Sequence, residues 1–196
     1  MSTGTDDAIE GVELQDSEYT VVQSLVRNKY KAYDANGDLV LQGKQKMFKL
    51  KEEFPFLDGD GNPAFTVQAG GVFDVAGNYV LTDDVTDEPV IVLDKNWTMF
   101  THQWKLRDPD TEAVIATIGS ASKIVDVLRH LPYVGGLFHL IPHEYEITDA
   151  EENRIGSVQG EFSIKDRYTV TVDDGSDVPR EAIVAAAMVI DAIEGN

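Results

Sequence analysis

The chain alternates between short runs of β-branched and aromatic residues and abrupt polar breaks. The first strong run, residues 19–26 (Tyr-Thr-Val-Val-Gln-Ser-Leu-Val), has the composition of a strand. A unit then repeats. Tyr30 to Tyr33 leads into Asp34-Ala-Asn-Gly-Asp38 and out through Leu39, Val40 and Leu41. Phe54 to Leu57 leads into Asp58-Gly-Asp-Gly-Asn62 and out through Ala64 to Val67; Tyr79 to Thr82 leads into Asp83 to Glu88 and out through Val90 to Leu93. Trp104 to Arg107 with Asp108 to Glu112, and Tyr145 to Thr148 with Asp149 to Asn153, repeat the pattern. Each unit reads as a hairpin. Asp and Asn bond the turn backbone with their side chains, and Gly supplies positive φ. The aspartates at 34, 58, 83 and 108 recur about every 25 residues, the period of a hairpin meander.

The last apolar stretch differs in kind. Residues 179–193, Pro-Arg-Glu-Ala-Ile-Val-Ala-Ala-Ala-Met-Val-Ile-Asp-Ala-Ile, are predicted as a helix. Asp177 is the expected N-cap, Pro179 falls where a missing N–H costs little, and Glu181 suits the positive end of the helix dipole. From Ala182 to Ile190 no face carries a polar residue, so the helix must be buried all round. At ~1.5 Å per residue it spans only ~22 Å, short of the ~20 residues a bilayer crossing needs. Asp191 would cost such a span about 2.5–3.5 kcal/mol near its centre. The helix is therefore a core helix. About a dozen strands preceding it predict a mainly β (α+β) fold, a closed antiparallel barrel with the helix through its middle; closure removes exposed edges, and the helix fills a lumen too wide for strand side chains alone.

One segment breaks the period. Within residues 120–141, Ile124, Val127, Leu128 and Leu131 form a helical stripe that ends near Pro132, and Gly135-Gly136 opens a second apolar run containing Leu137 and Phe138. It is expected either to close one barrel end or to present Val127, Leu128, Leu131, Leu137 and Phe138 as an apolar contact surface. Residues 1–17 are acidic with little periodicity, and are expected to be a flexible leader ahead of a single domain over 18–196.

Charge changes the picture more than length does. The 196 residues hold 35 acidic and 16 basic side chains, a net charge of −19. Such a surface repels free nucleic acid. The acids look dispersed over turns and strands, which favours adaptation to a salt-rich cytoplasm over a single cation site. The absence of cysteine excludes disulfides, thiolate zinc sites and a cysteine nucleophile. The opening residues lack the basic and apolar regions of a secretory signal, which makes the cytoplasm the expected compartment.

Candidate chemistry is sparse. Asp58-Gly-Asp60-Gly-Asn62 imitates the opening of a calcium loop, but Ala69 stands where the bidentate Glu belongs, and strands flank it. His139 and His143 have i,i+4 spacing beside Glu144, yet Pro142 breaks any helix there; with His102 and His130 they read as structural. Asn96-Trp97-Thr98 matches a glycosylation sequon that a cytoplasmic chain does not expose to the machinery. No phosphate loop, nucleophile elbow or spaced carboxylate pair stands out, and no cofactor or metal is expected. The cations are less evenly spread. Arg27, Lys29, Lys31, Lys44, Lys46, Lys49 and Lys51 fall on neighbouring strands, a cluster suited to an anionic headgroup or phosphate. Solvated lysines also protect strand edges, and parity puts Lys44 and Lys46 on one face with Lys49 and Lys51 on the other.

Taken in order, Tyr30-Lys-Ala-Tyr33-Asp34-Ala-Asn-Gly37, Gly43-Lys-Gln-Lys46-Met-Phe-Lys-Leu50, the aromatic-led hairpins, and Tyr168-Thr-Val-Thr-Val172 followed by the apolar helix resemble the LURP-one-related family. The resemblance covers residues 18–194. It implies a twelve-stranded barrel around a central C-terminal helix, the fold shared with tubby C-terminal domains and phospholipid scramblases. No catalytic set travels with it; its tubby relatives bind phosphoinositides through basic barrel residues, and its scramblase relatives associate with membranes. The expectation is a non-enzymatic barrel, peripheral to a membrane, that binds a protein partner or an anionic lipid through Lys29, Lys31, Lys44, Lys46, Lys49 and Lys51. The alternatives are a small-molecule carrier or enzyme using His130, His139 or His143 under the 120–141 segment, and a scramblase-like lipid mover.

Overall fold

A computed structural model describes residues 9–24, 29–44, 53–69, 78–97, 102–120, 144–161 and 167–194. Among them are twelve strands: β1 (Glu18–Ser24), β2 (Lys29–Tyr33), β3 (Leu39–Lys44), β4 (Glu53–Asp58), β5 (Pro63–Ala69), β6 (Asn78–Asp83), β7 (Pro89–Trp97), β8 (His102–Arg107), β9 (Val114–Ser120), β10 (Glu144–Asp149), β11 (Arg154–Glu161) and β12 (Arg167–Val172). One helix, α1 (Arg180–Glu194), follows. Every strand pairs antiparallel with its chain neighbours, and β1 pairs with β12 as well, closing the barrel without a free edge.

The hairpin turns form for the reason their aspartates predict. Asp34 Oδ1 accepts the amides of Asn36 and Asp38 at 3.0 and 2.7 Å. Asp83 Oδ1 accepts Val85 and Thr86, Asp108 Oδ1 accepts Asp110 and Thr111, and Asp149 Oδ1 accepts Glu151 and Asn153. Gly37 and Gly61 hold the left-handed position in the first two turns, at φ 87° and 93°. Because the strands run strictly up and down, these five turns stand at one end of the barrel. Carboxylates that look dispersed along the sequence are thereby collected on one rim, with no lysine or arginine inside the turns. We call this the turn end.

Strand side chains alternate. On β2, buried Tyr30 and Ala32 face the lumen while Lys29, Lys31 and Tyr33 face out. The lumen is filled by α1, whose residues 181–190 are all buried. The helix begins one residue after the predicted start and takes a different cap. The Pro179 carbonyl accepts the amide of Ile183 at 3.3 Å, while Asp177 lies exposed two residues earlier. Ser176 fixes the approach, accepting the Val178 amide at 3.1 Å. Glu181 does more than favour the dipole: it is buried and accepts the amide of Leu14 at 2.8 Å.

That contact corrects the expected leader. Ile9, Val12 and Leu14 are 0, 3 and 5% exposed and belong to the core, so the packed domain reaches back at least to Ile9 rather than starting at 18. Residues 1–8 lie outside the described chain, as do 121–143 with Val127, Leu128, Leu131, Leu137 and Phe138.

Candidate anion-binding face

The end opposite the turns is where β2 begins and β3 ends. Lys29 of β2 stands opposite Lys44 of β3 in the ladder, and Lys31 stands opposite Gln42. Like charges on directly opposed residues destabilise a sheet, by roughly 0.2–1 kcal/mol. The next strand around the barrel is β1, where Val22 pairs with Lys31 on one side and with Arg167 of β12 on the other. Arg167 and Lys31 thus flank Val22, their backbones ~10 Å apart at ~4.8 Å per strand. Glu161 of β11 is the ladder partner of Arg167 and bounds the face on that side. Lys29 and Lys31 are half-buried and make no ion pair among the described residues.

The structure therefore brings together Lys29, Lys31 and Lys44 from the predicted cluster. Lys46, Lys49 and Lys51 lie outside the described residues, as do Arg27, His130, His139 and His143. His102 opens β8. Sequence reading missed Arg167, which joins the face only across the β1–β12 closure. An alternating β12 with Arg at its first position was the available signal, and it needed the closing pair to be useful.

Polar side chains also occur inside the barrel, and one of them reaches the helix. Tyr168 is buried and donates from its hydroxyl to the Ala187 carbonyl at 3.3 Å. Burial pushes its phenol well above the ordinary range, and the nearby Asp191 carboxylate and Tyr30 phenol add to the shift. Lys95 of β7 lies over the ring of its ladder partner Trp104, 5.3 Å from the centroid, and Tyr79 packs against the same indole at 5.9 Å. Burial raises the Tyr79 phenol too. At neutral pH these phenols are proton donors, suited to hydrogen bonding and unsuited to act as bases.

The turn end is electrostatically distinct. Asp108 is held below the ordinary carboxyl range by the backbone and side chain of Thr111, and Asp149 by the side chain and backbone of Asn153. For Asp58 slight burial works the other way, but hydrogen bonds from Asn62, Gly61 and Asp60 outweigh it. These carboxylates are occupied by their own turns. Among the described residues no group of His, Cys, Asp or Glu is placed to hold a metal ion.

Comparison with known proteins bears on the family and the fold. No curated protein matches the chain in sequence. A protein from Arabidopsis thaliana, known from its X-ray structure, has a similar fold: TM-score 0.57 and 13% identity, with 93% of this chain and 97% of that one covered. The model of the LURP-one-related family matches residues 39–191, from β3 into the last turn of the core helix. The chain belongs to the LURP-one-related family.

Proposed function

We propose that the barrel is a non-enzymatic binding module, and that the outward face of β12, β1, β2 and β3 takes an anionic lipid headgroup at a membrane surface, in a cytoplasmic, peripheral setting. The observation that supports this is the cation row of Arg167, Lys31, Lys29 and Lys44, kept at one end of a strongly acidic chain despite the like-charge pairing it imposes. Each lysine near an anionic surface contributes about 1 kcal/mol, so reversing two weakens binding at least roughly 30-fold. Flotation with phosphatidylserine vesicles at about 0.1 M salt, where the Debye length is about 10 Å, is the test. Wild-type protein is expected to co-float and Lys29→Glu/Lys31→Glu to stay behind. Failure of the wild type to float ends the reading. The net charge of −19 fits a salt-rich source, and in molar salt the same face would bind only at short range.

A second reading, a small-molecule carrier, draws on two polar groups of the barrel, Tyr30, Tyr168 and Asp191 by the helix and Tyr79, Lys95 and Trp104 on β6 to β8. Native mass spectrometry of protein from its own source tests it, through a retained small molecule. A scramblase-like role has less support, because no described helix is long and apolar enough to cross a membrane.

A further inference from the structure

The segment ahead of β1 is attached to the barrel unlike any other part of the described chain. Ile9, Val12 and Leu14 are buried, while Glu10, Gly11 and Glu13 between them are exposed. The segment turns on itself through the Val12 amide and the Ile9 carbonyl, 3.1 Å apart, with Gly11 at φ 80°. Before Ser17, whose carbonyl accepts the Val172 amide, no main-chain bond joins it to the barrel among the described residues. Two barrel carboxylates hold its backbone instead. Asp83 at the end of β6 accepts the Glu10 amide at 2.5 Å, and Glu181 in the first turn of α1 accepts the Leu14 amide at 2.8 Å. A third bond runs the other way, from the Ala35 amide to Asp16. A piece fixed by a few side chains and outside the ladder is the kind that opens below the global unfolding free energy.

What opposes its closure is charge. The segment brings Glu10 and Glu13 onto the acidic rim. Residues 11–14 stand across an open groove of about 440 Å³ from the β2–β3 and β4–β5 turns, so that Glu13 shares its lining with Asp38, Asp58 and Asp60. Arg107, Arg154 and Arg180 stand at this end of the barrel, and each is engaged by a carboxylate, Asp94, Glu146 and Asp174 in turn. Apolar anchoring is little affected by simple electrolytes at moderate concentration, whereas repulsion across the groove is screened once the Debye length falls from about 10 Å at 0.1 M to about 3 Å at 1 M. We propose that residues 9–16 are a strap that opens and closes as a unit over the N-terminal end of the core helix, with ionic strength setting the balance. Salt closes it. Dilute buffer opens it and uncovers the apolar socket of Ile9, Val12 and Leu14.

Hydrogen exchange on the full chain tests this, comparing about 0.1 M with about 1 M KCl. The amides of Glu10 and Leu14 are expected to exchange about tenfold faster in the dilute buffer, while those of Val184 to Met188 in the helix change little. Glu13→Gln combined with Asp60→Asn removes two carboxylates facing across the groove and is expected to restore strap protection in dilute buffer. The proposal is overturned if strap and helix amides lose protection together at low salt, because the segment is then part of the cooperative core. It is equally overturned if Leu14 exchange ignores salt, or if the double variant keeps the wild-type salt response.

Discussion

The two ends of the barrel differ in what their charges do. At the turn end the carboxylates that lead the hairpins are engaged by the backbone they organise, with Asp34, Asp83, Asp108 and Asp149 each accepting amides two to four residues on. At the opposite end, Lys29 and Lys31 make no ion pair among the described residues, and Lys29 stands against Lys44 in the ladder. The turn-leading aspartates at one end are explained by folding alone. The cations at the other are not, and they oppose it slightly. A group that folding does not require is the better place to look for binding, even when the other end holds far more charge.

The sharpest way to probe the contrast is to load each end with one methyl group. Gly156 of β11, near the turn end, lies so close to β12 that a Cβ would sit 2.1 Å from the Thr171 carbonyl oxygen. Gly43 of β3, near the lysine end, would meet the Phe56 ring at 2.6 Å, and that ring is stacked on Phe65 at 4.5 Å. Backbone held in a ladder yields less than a side chain. Gly156→Ala is expected to cost about 3 kcal/mol and Gly43→Ala about 1 kcal/mol. Urea denaturation of both variants checks the ranking; equal losses would mean the two ends are equally rigid.

Titration next separates the buried phenols of the lumen from the aspartates of the turn end. Tyr19 in β1 is pushed up to about 12, chiefly by burial, and Tyr168 goes well above the ordinary 10.0. Both phenols are protonated in folded and unfolded chains at neutral pH. Above 10 the unfolded chain ionises first, so stability is lost as pH rises through about 12 for Tyr19, and the raised phenol of Tyr168 adds a loss of the same sign. Tyr168→Phe should flatten the alkaline slope while giving up one hydrogen bond, about 1 kcal/mol at neutral pH. In acid the turn end responds. Asp58, Asp108 and Asp149 are held below their ordinary 3.8, so their contribution is present above that value and disappears as pH falls through the lower folded values. Asp108→Asn should reduce the acid slope and leave the alkaline one unchanged.

The smallest effect is expected at the lysine row itself. Lys29→Glu replaces a like-charge pair with an opposite-charge pair facing Lys44, and should raise stability by about 0.2–1 kcal/mol in low salt. The same change should weaken binding to anionic vesicles. A variant that is more stable and binds less is the signature of a surface kept for a ligand; a loss of stability would show that the pair is a folding element.

The sequence displayed the hairpins and the helix because their signals are local. An Asp leading a Gly- or Asn-containing turn, and nine consecutive apolar positions from Ala182 to Ile190, carry their meaning without reference to distant residues. What it did not display depends on which strands meet. Arg167 joins the lysines only through β1–β12 pairing, and the carboxylates form a rim only because every Asp-led turn falls on the same end of an up-and-down barrel. Ile9, Val12 and Leu14 were passed over because three apolar residues at uneven spacing among acids match neither the helical nor the strand period. Their burial is decided by the helix N-terminus and the mouth they fill.

Closure of the barrel around its last element also constrains the route by which the chain folds. All ladder pairings but β1–β12 join consecutive strands and form as each hairpin is made. The helix comes after all of them, enters from the turn end, and occupies a lumen packed by Leu41, Leu81, Leu106 and Val170. Threading it lengthwise through a finished cylinder is sterically barred, in keeping with the rarity of threaded chains. The helix must lie down on an open, curling sheet, and the first and last strands must meet behind it. The β1–β12 seam is thus the final weld of the structure, and until it forms two bare strand edges face solvent, which makes this interval the one most exposed to aggregation.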